Sequence, residues 1–223
     1  MILSIPDVLG AAELQQLESA LAAVQFVDGK ATASGSAARV KNNRQAVGNA
    51  PGLRGLQKGV VDALLKNEAF SQFALPLRIM PPLFNRYEPG MAYGDHIDRP
   101  VMQGNVPVRT DLAMTLFLSE PGSYDGGELV VGSDFGPQRV KLRRGSLVLY
   151  PASTIHRVEP VTRGVRLAAV SWIQSMVREH EQRQVLAELG QLKQWADSMA
   201  QDSPQGLQLQ KVRGLLLRWW ADV

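Results

Sequence analysis

The sequence predicts an α+β protein: a double-stranded β-helix (jelly roll) core flanked by N-terminal helices and a C-terminal helical extension. Three observations carry this. Eight short segments rich in β-branched and aromatic residues follow one another between Leu77 and Gln174, divided by Pro, Gly and Asp. Short strands at such spacing with turn signals between them mark an antiparallel sandwich or barrel. Before and after this stretch, apolar residues recur at helical spacing. Two of the three histidines fall inside the strand-rich part, and among all-β folds the jelly roll is the type that houses metals in its mouth.

Taken in order, Leu3 to Ile5 reads as a short strand. Asp7 then caps a helix running to about Val24, with Leu9, Leu14, Leu17, Leu21 and Val24 near helical spacing. Gly29 to Val47 is rich in Ala, Ser, Gly and Asn, carries Arg39, Lys41 and Arg44, and has no sustained period. It reads as a long loop or irregular hairpin, and a loop of that length in a compact domain is usually disordered or functional, which leaves a lid or substrate-contact role open. Leu53 to Lys66 is an amphipathic helix with Leu56, Val60, Leu64 and Leu65 on one side, and Asn67 to Phe73 adds a turn or two.

The strand candidates are Leu77 to Met80, Leu83 to Tyr87, Thr110 to Leu118, Glu128 to Val131, Arg139 to Lys141, Ser146 to Tyr150, Ile155 to Val158 and Val165 to Gln174. After them, Ser175 to about Met199 and Gln205 to Ala221 read as helices. Asp202-Ser203-Pro204 separates the two, with Pro204 suited to a helix start. Trp219 and Trp220 read as packing against the strand-rich part, with a dimer contact as the alternative. This divides the chain into a helical support region (1–76), a jelly-roll domain (77–175) and a helical extension (176–223).

Composition bounds the function. A chain of 223 residues buries one sizeable core. With 45% hydrophobic and 20% charged residues, disorder is not the default. The net charge of +3 and pI near 9.3 come from scattered Lys and Arg, with no run that would track nucleic acid. The balance serves solubility, with a small contribution from an anionic small-molecule site. There are no cysteines, which excludes disulfides and thiolate metal sites, so any ion is held by N and O ligands. Met1 to Asp7 lacks a basic, apolar leader, and no stretch approaches the ~20 apolar residues that span a bilayer. The expected location is cytoplasmic, with no membrane partner.

The residues that could carry chemistry begin at His96. If His96 to Asp98 is extended, a period of two puts the imidazole and the carboxylate on one face while Ile97 turns away. A His-x-Asp triplet alone is common in turns and caps. His156, from another strand of the same sheet, would supply a third ligand. Two imidazoles and one carboxylate on one side of an ion form the facial triad of non-haem iron(II) oxygenases, with positions left open. His180 lies in a charged helical run and reads as a solvated face.

Three arginines could pair with a bound carboxylate. Arg157 alternates with His156 and should face the other way, and Arg163 sits at the expected hairpin tip in solvent. Arg166 points inward if an odd-numbered loop pairs His156 with Ala168 and Val158 with Arg166, whereas a two-residue turn would send it outward. The odd loop is the expectation.

The ordered set Tyr87-x-x-Gly90-x-x-Tyr93-x-x-His96-x-Asp98, then Tyr124-Asp125-Gly126-Gly127-Glu128-Leu129, then His156 with Arg166 ten positions on, resembles the Fe(II)/2-oxoglutarate dioxygenases of the prolyl-hydroxylase type. More narrowly it resembles the bacterial PKHD-type hydroxylases, most strongly over Leu77 to Gln174. The resemblance implies that His96, Asp98 and His156 bind iron(II) and that Arg166 binds the distal carboxylate of 2-oxoglutarate. Tyr87 is similar in position to a family tyrosine that hydrogen-bonds the co-substrate, while a core-facing aromatic is its other reading, and Tyr93 carries less. Arg stands where prolyl hydroxylases often carry Lys, and offers a carboxylate two parallel hydrogen bonds. Gly126-Gly127 reads as a turn without direct chemistry.

The implied activity is hydroxylation of a peptidyl or free amino acid, or of a siderophore-like molecule, using O2, with release of succinate and CO2 and L-ascorbate as auxiliary cofactor. A homodimer is compatible with this. Metal binding needs neutral imidazoles, so affinity should fall below pH ~6.5. The competing readings are a cupin-like metalloenzyme using the same triad without 2-oxoglutarate, and a binding module with a vestigial pocket.

Overall fold

The computed structural model describes residues 2–48, 50–103, 106–201 and 203–223. Met1 and Asp202, both used in the sequence reading, lie outside the described residues. Strand β1 (Leu3–Ile5) leads into helix α1 (Ala11–Ala22). Asp7 does not cap this helix, since it adopts φ 50° three residues earlier. The N-cap is Gly10, whose backbone N–H donates to the Glu13 carboxylate at 2.8 Å.

Then follow β2 (Phe26–Asp28), the short helix α2 (Gly35–Arg39), β3 (Lys41–Asn42) and β4 (Arg44–Ala46). The segment read as a long loop or irregular hairpin therefore holds strands, and β3 and β4 pair with the later strands Ala92–His96 and Leu83–Tyr87 rather than with each other. Helix α3 (Leu53–Lys66) ends at Asn67, whose side chain accepts from the Phe70 N–H and so starts α4 (Glu68–Ala74).

The strand-rich part runs β5 (Pro76–Ile79), β6 (Leu83–Tyr87), β7 (Ala92–His96), β8 (Val101–Met102), β9 (Val108–Arg109) and β10 (Leu112–Phe117). It continues with β11 (Asp125–Gly126), β12 (Leu129–Val131), β13 (Gln138–Val140), β14 (Leu147–Pro151), β15 (His156–Val158), β16 (Val161–Arg163) and β17 (Arg166–Ser175). Helices α5 (His180–Met199) and α6 (Pro204–Trp220) close the described chain, with the Ser203 hydroxyl capping α6 and Pro204 in its first turn.

The strands form two main antiparallel sheets. The major one has the order β1-β14-β10-β17-β6-β4-β2, with β5 also pairing with β17; the minor one has the order β13-β12-β15-β7-β3. Alternation along the central strands divides the core. Leu112, Met114 and Leu116 of β10, with Leu147 and Leu149 of β14, pack beneath Leu14, Leu17, Leu64 and Phe70 of the helices. The intervening Ala113, Phe117, Val148 and Tyr150 meet Leu129, Val131 and Val158 of the minor sheet. Each fully buried Leu or Phe contributes roughly 2 kcal/mol, so the helical layer is integral to the fold.

The expected hairpin between β15 and β17 does not exist. β15 pairs with β12 and β7 in the minor sheet, β17 pairs with β10 and β6 in the major sheet, and β16 leaves to pair with β11. At the C-terminal end, Trp220 packs with Leu216 and Leu217 against Leu75, Val177 and Leu186, whereas Trp219 is 73% exposed. Trp220 therefore packs on the end of α4 and on α5 and its approach, not on the strand-rich part expected to receive it, and Trp219 is left in solvent.

Candidate active site

Strands β7 and β15 place His96 directly opposite His156. The next partners are Tyr93 and Val158, so β7 carries one extra residue over this step. Such a bulge breaks the ordinary alternation and re-aims a side chain. Tyr93 and His96, three residues apart, consequently lie on one side and stack with ring centroids 3.6 Å apart and 14° between planes. Gly94 permits the kink, because a Cβ there would sit 2.9 Å from the Val40 Cβ. Asp95 turns outward to Arg157 at 3.2 Å, and Arg157 also grips Glu159, which places Arg157 on the face away from the site.

Both imidazoles are oriented by backbone. His96 Nδ1 lies 2.8 Å from the Gly94 carbonyl and His156 Nδ1 lies 2.9 Å from the Thr154 carbonyl. A carbonyl only accepts, so each Nδ1 carries the proton and each Nε2 is left with its lone pair. Asp98 follows two residues beyond the end of β7, past an Ile97 that is 54% exposed, and its Oδ2 lies 3.8 Å from His156 Nε2. One donor atom from each of His96, Asp98 and His156 falls within 4.8 Å of the others.

Burial, reinforced by His156, pushes the His96 imidazole down to about 4. Burial also pushes the Asp98 carboxyl up, against the pull of His156. These two shifts suit a site that receives a cation: an imidazole kept neutral at His96 and a carboxylate at Asp98 whose charge is expensive until something offsets it. The donor set fits a divalent metal held by N and O ligands.

Arg166 stands beside this focus. It pairs with Tyr87 across β17 and β6, is 1% exposed, and its guanidinium carbon lies 5.2 Å from the Tyr87 ring centroid and 5.5 Å from that of Phe117. Its Nε has no hydrogen-bond partner, and no carboxylate of the described residues lies within ion-pair range of it. Its inward aim comes from the major-sheet register, in which Arg166, Ala168 and Val170 share one face, and not from a hairpin with β15. Gly126 and Gly127, at φ 70° and 65°, do more than turn the chain. A Cβ on Gly127 would lie 3.0 Å from Arg166 Cδ, 3.1 Å from the Tyr124 ring and 2.9 Å from Val161, so only glycine lets the backbone pass the arginine stem.

His96, Asp98, His156, Arg166 and Tyr87 all line one cavity of about 350 Å³. Arg163 is outside it, exposed and paired with Asp125 at 2.6 Å. The opposite wall comes from the Gly29 to Val47 segment, for which the sequence left a substrate-contact role open without singling out the residues that line the cavity. Lys41, Asn43 and Gln45 alternate toward the cavity while Asn42 and Arg44 face solvent, as β3 joins the minor sheet and β4 the major one. Gln45 Nε2 donates to Asn85 Oδ1 at 2.6 Å, and Lys41 Nζ donates to Thr32 Oγ1 at 2.9 Å. Such a strand turns polar residues inward and offers no apolar alternation to detect.

Residues 82–174 match the family model of the 2OG-Fe(II) oxygenase superfamily. Over its full length the chain is 46% identical to a PKHD-type hydroxylase of Xanthomonas campestris pv. campestris, with 100% of both chains covered. It is equally 46% identical, with the same coverage, to a PKHD-type hydroxylase of Bordetella pertussis. The chain belongs to the PKHD-type hydroxylases. It is therefore an enzyme, an iron(II)- and 2-oxoglutarate-dependent dioxygenase.

Solved structures with the same fold include a Pseudomonas putida prolyl-4-hydroxylase (TM-score 0.54, 21% identity, 78% of this chain and 92% of that one). A Trichoplax adhaerens prolyl hydroxylase in complex with a hypoxia-inducible-factor peptide fragment gives a TM-score of 0.55 at 17% identity, over 83% and 86% of the two chains. HygX of Streptomyces hygroscopicus, with nickel, 2-oxoglutarate and hygromycin B bound, gives 0.54 at 18% identity, over 78% and 82%. The jelly-roll core of this PKHD-type hydroxylase, with helices at both ends, is the architecture expected from its sequence.

Proposed function

We propose that His96, Asp98 and His156 hold the iron(II) of this hydroxylase, and that Arg166 grips the distal carboxylate of 2-oxoglutarate with Tyr87 beside it. The observation that carries the reading is the convergence of three donor atoms within 4.8 Å next to a buried guanidinium lacking an ion-pair partner. When bound, iron and 2-oxoglutarate supply the O2 activation that converts a substrate C–H to C–OH with release of succinate and CO2.

The chain's own residues do the rest. The two Nε2 atoms and one Asp98 oxygen would hold the metal. The backbone carbonyls of Gly94 and Thr154 fix the ring protons away from it, and the apolar wall of Ala113, Leu129 and Val158 restricts water. Arg166, desolvated and planar, offers a carboxylate stronger pairing than an exposed cation would.

On this reading residues 77–175 form the catalytic domain, 1–76 its support and 176–223 an extension. L-ascorbate serves as auxiliary reductant, and the substrate is a peptidyl or free amino acid or a siderophore-like molecule. The enzyme acts in the cytoplasm without nucleic-acid or membrane partners, and the α5–α6 surface, where Trp195 and Trp219 are exposed, is the face suited to a homodimer contact. No helix of the described residues is long and apolar enough to cross a membrane.

The test is anaerobic iron(II) reconstitution followed by succinate detection with and without candidate substrates. Arg166→Ala should raise the 2-oxoglutarate KM at least ~30-fold, because removing one member of a buried charge pair costs about 2–5 kcal/mol. Turnover indifferent to 2-oxoglutarate would favour the cupin-like reading. An intact fold that binds no iron(II) would favour a vestigial pocket.

A further inference from the structure

The charges on the cavity wall do not balance. Among the described residues that line the cavity, Asp98 is the one carboxylate, while Lys41, Arg99 and Arg166 are cationic. This step rests on the function proposed above, in which Asp98 serves the iron and Arg166 the co-substrate. Iron(II), Asp98, doubly charged 2-oxoglutarate and Arg166 then sum to zero formal charge. Lys41 and Arg99 remain, both positive, with no acid in the wall to match them.

Lys41 is not an ordinary surface lysine. It is 5% exposed, and its Nζ hydrogen-bonds only the Thr32 hydroxyl, at 2.9 Å, although an ammonium carries three donors. No carboxylate of the described residues comes within 4 Å of it. Its ammonium lies 5.2 Å from the Tyr93 ring centroid, and Tyr93 in turn stacks on His96, so the charge sits one aromatic ring away from a metal-binding imidazole. Burial draws its pKa down to about 8, against the pull of Asp28 and Asp98, which leaves it mostly charged at neutral pH. A buried cation with two free donors facing a cavity is costly unless an anion completes it. Arg99 lies at the exposed rim, with its Nη2 on the Ser34 hydroxyl at 2.5 Å, so its own charge also lacks an acidic partner.

We propose that the hydroxylated substrate is an anion whose carboxylate, or an equivalent acid group, is received by Lys41 inside the cavity and guided in by Arg99 at its rim. Lys41 fixes the distance between that acid group and the metal centre, and therefore selects which carbon is presented.

The test is calorimetry on the anaerobic iron(II)·2-oxoglutarate complex, whose visible charge-transfer band first establishes that the centre is assembled. The probes are acetate, benzoate, N-acetyl-L-aspartate and N-acetyl-L-glutamate, each beside its neutral amide. At least one acid should bind tenfold or more tightly than its amide. That preference should vanish in Lys41→Met, weaken in Arg99→Gln, persist in part in Lys41→Arg and be unchanged in the exposed control Lys58→Met. The proposal is overturned if no acid is preferred over its amide, or if the preference survives in Lys41→Met. Weaker iron(II) binding by Lys41→Met with the acid preference intact would also overturn it, since the lysine would then serve Asp98. Should Lys41→Met not fold, the wild-type comparison and Arg99→Gln decide the question. A wild-type protein that forms no chelate band would instead sink the iron assignment on which this inference rests.

Discussion

Replacing Gly127 by alanine tests whether the backbone beside Arg166 is shaped for the co-substrate. The left-handed φ of 65° costs an L-residue roughly 1–2 kcal/mol. The new methyl would also meet Val161 at 2.9 Å, Arg166 Cδ at 3.0 Å and the Tyr124 ring at 3.1 Å, and overpacking of this kind costs about 1–3 kcal/mol. The sum is roughly 2–5 kcal/mol, or a Tm lower by about 4–20 °C for a chain of this length. Because the arginine stem must yield by a few tenths of an ångström, the 2-oxoglutarate KM should rise about tenfold, equivalent to ~1.4 kcal/mol of lost pairing. Gly136→Ala is the control: its φ is 94°, yet a Cβ there meets nothing within 4 Å. It should lower Tm through backbone strain alone and leave KM untouched. Differential scanning fluorimetry and initial-rate kinetics on both variants read the two quantities. Equal Tm losses with an unchanged KM for Gly127→Ala would show that close packing at this glycine does not position Arg166.

Two further outcomes follow from other parts of the fold. In the metal-free protein His96 should stay neutral, with its proton on Nδ1, down to about pH 4, well below the pH ~6.5 expected from an unperturbed imidazole. The unfolded chain takes up that proton first, so the stability owed to neutral His96 is present above pH ~6.5 and is lost as pH falls toward about 4; an imidazole nitrogen NMR titration with a midpoint near 6.5 would contradict this. Asp111 accepts two hydrogen bonds from Arg109, at 2.7 and 3.1 Å, and one from the buried Ser175 N–H at 2.8 Å. Asp111→Ala should therefore cost about 2–4 kcal/mol in urea denaturation with an unchanged m-value, and a loss below ~0.5 kcal/mol would show that this carboxylate does not hold β17 in place.

The parts legible in the sequence are those where apolar periodicity reports burial. The eight strand candidates correspond to β5, β6, β10, β12, β13, β14, β15 and β17, because alternation in segments such as Leu112 to Phe117 reflects one face under the helices and the other against the minor sheet. What escaped was structure whose buried face is polar or whose pairing is distant. Strands β3 and β4, with Asn43 between them, turn Lys41, Asn43 and Gln45 toward a cavity, and no hydrophobic pattern records such a stretch. The bulge in β7 is invisible for a related reason: Gly94 hints at a close approach but does not say to what. The three donors could be picked out by residue type and spacing. The inward aim of Arg166 was expected for a reason the sheets do not support, since local loop parity does not reveal that β15 and β17 belong to different sheets.

The placement of His96 opposite His156 on neighbouring strands has a thermodynamic corollary. An ion shared by the two would act as a rivet across β7 and β15, so that loading it also locks the register of those strands. A ligand present at a thousand times its dissociation constant adds about 4 kcal/mol to the state that binds it. Amide protons of the minor sheet would then exchange far more slowly in the loaded enzyme, while those of the major sheet, which holds none of the three donors, would owe any added protection to global unfolding alone.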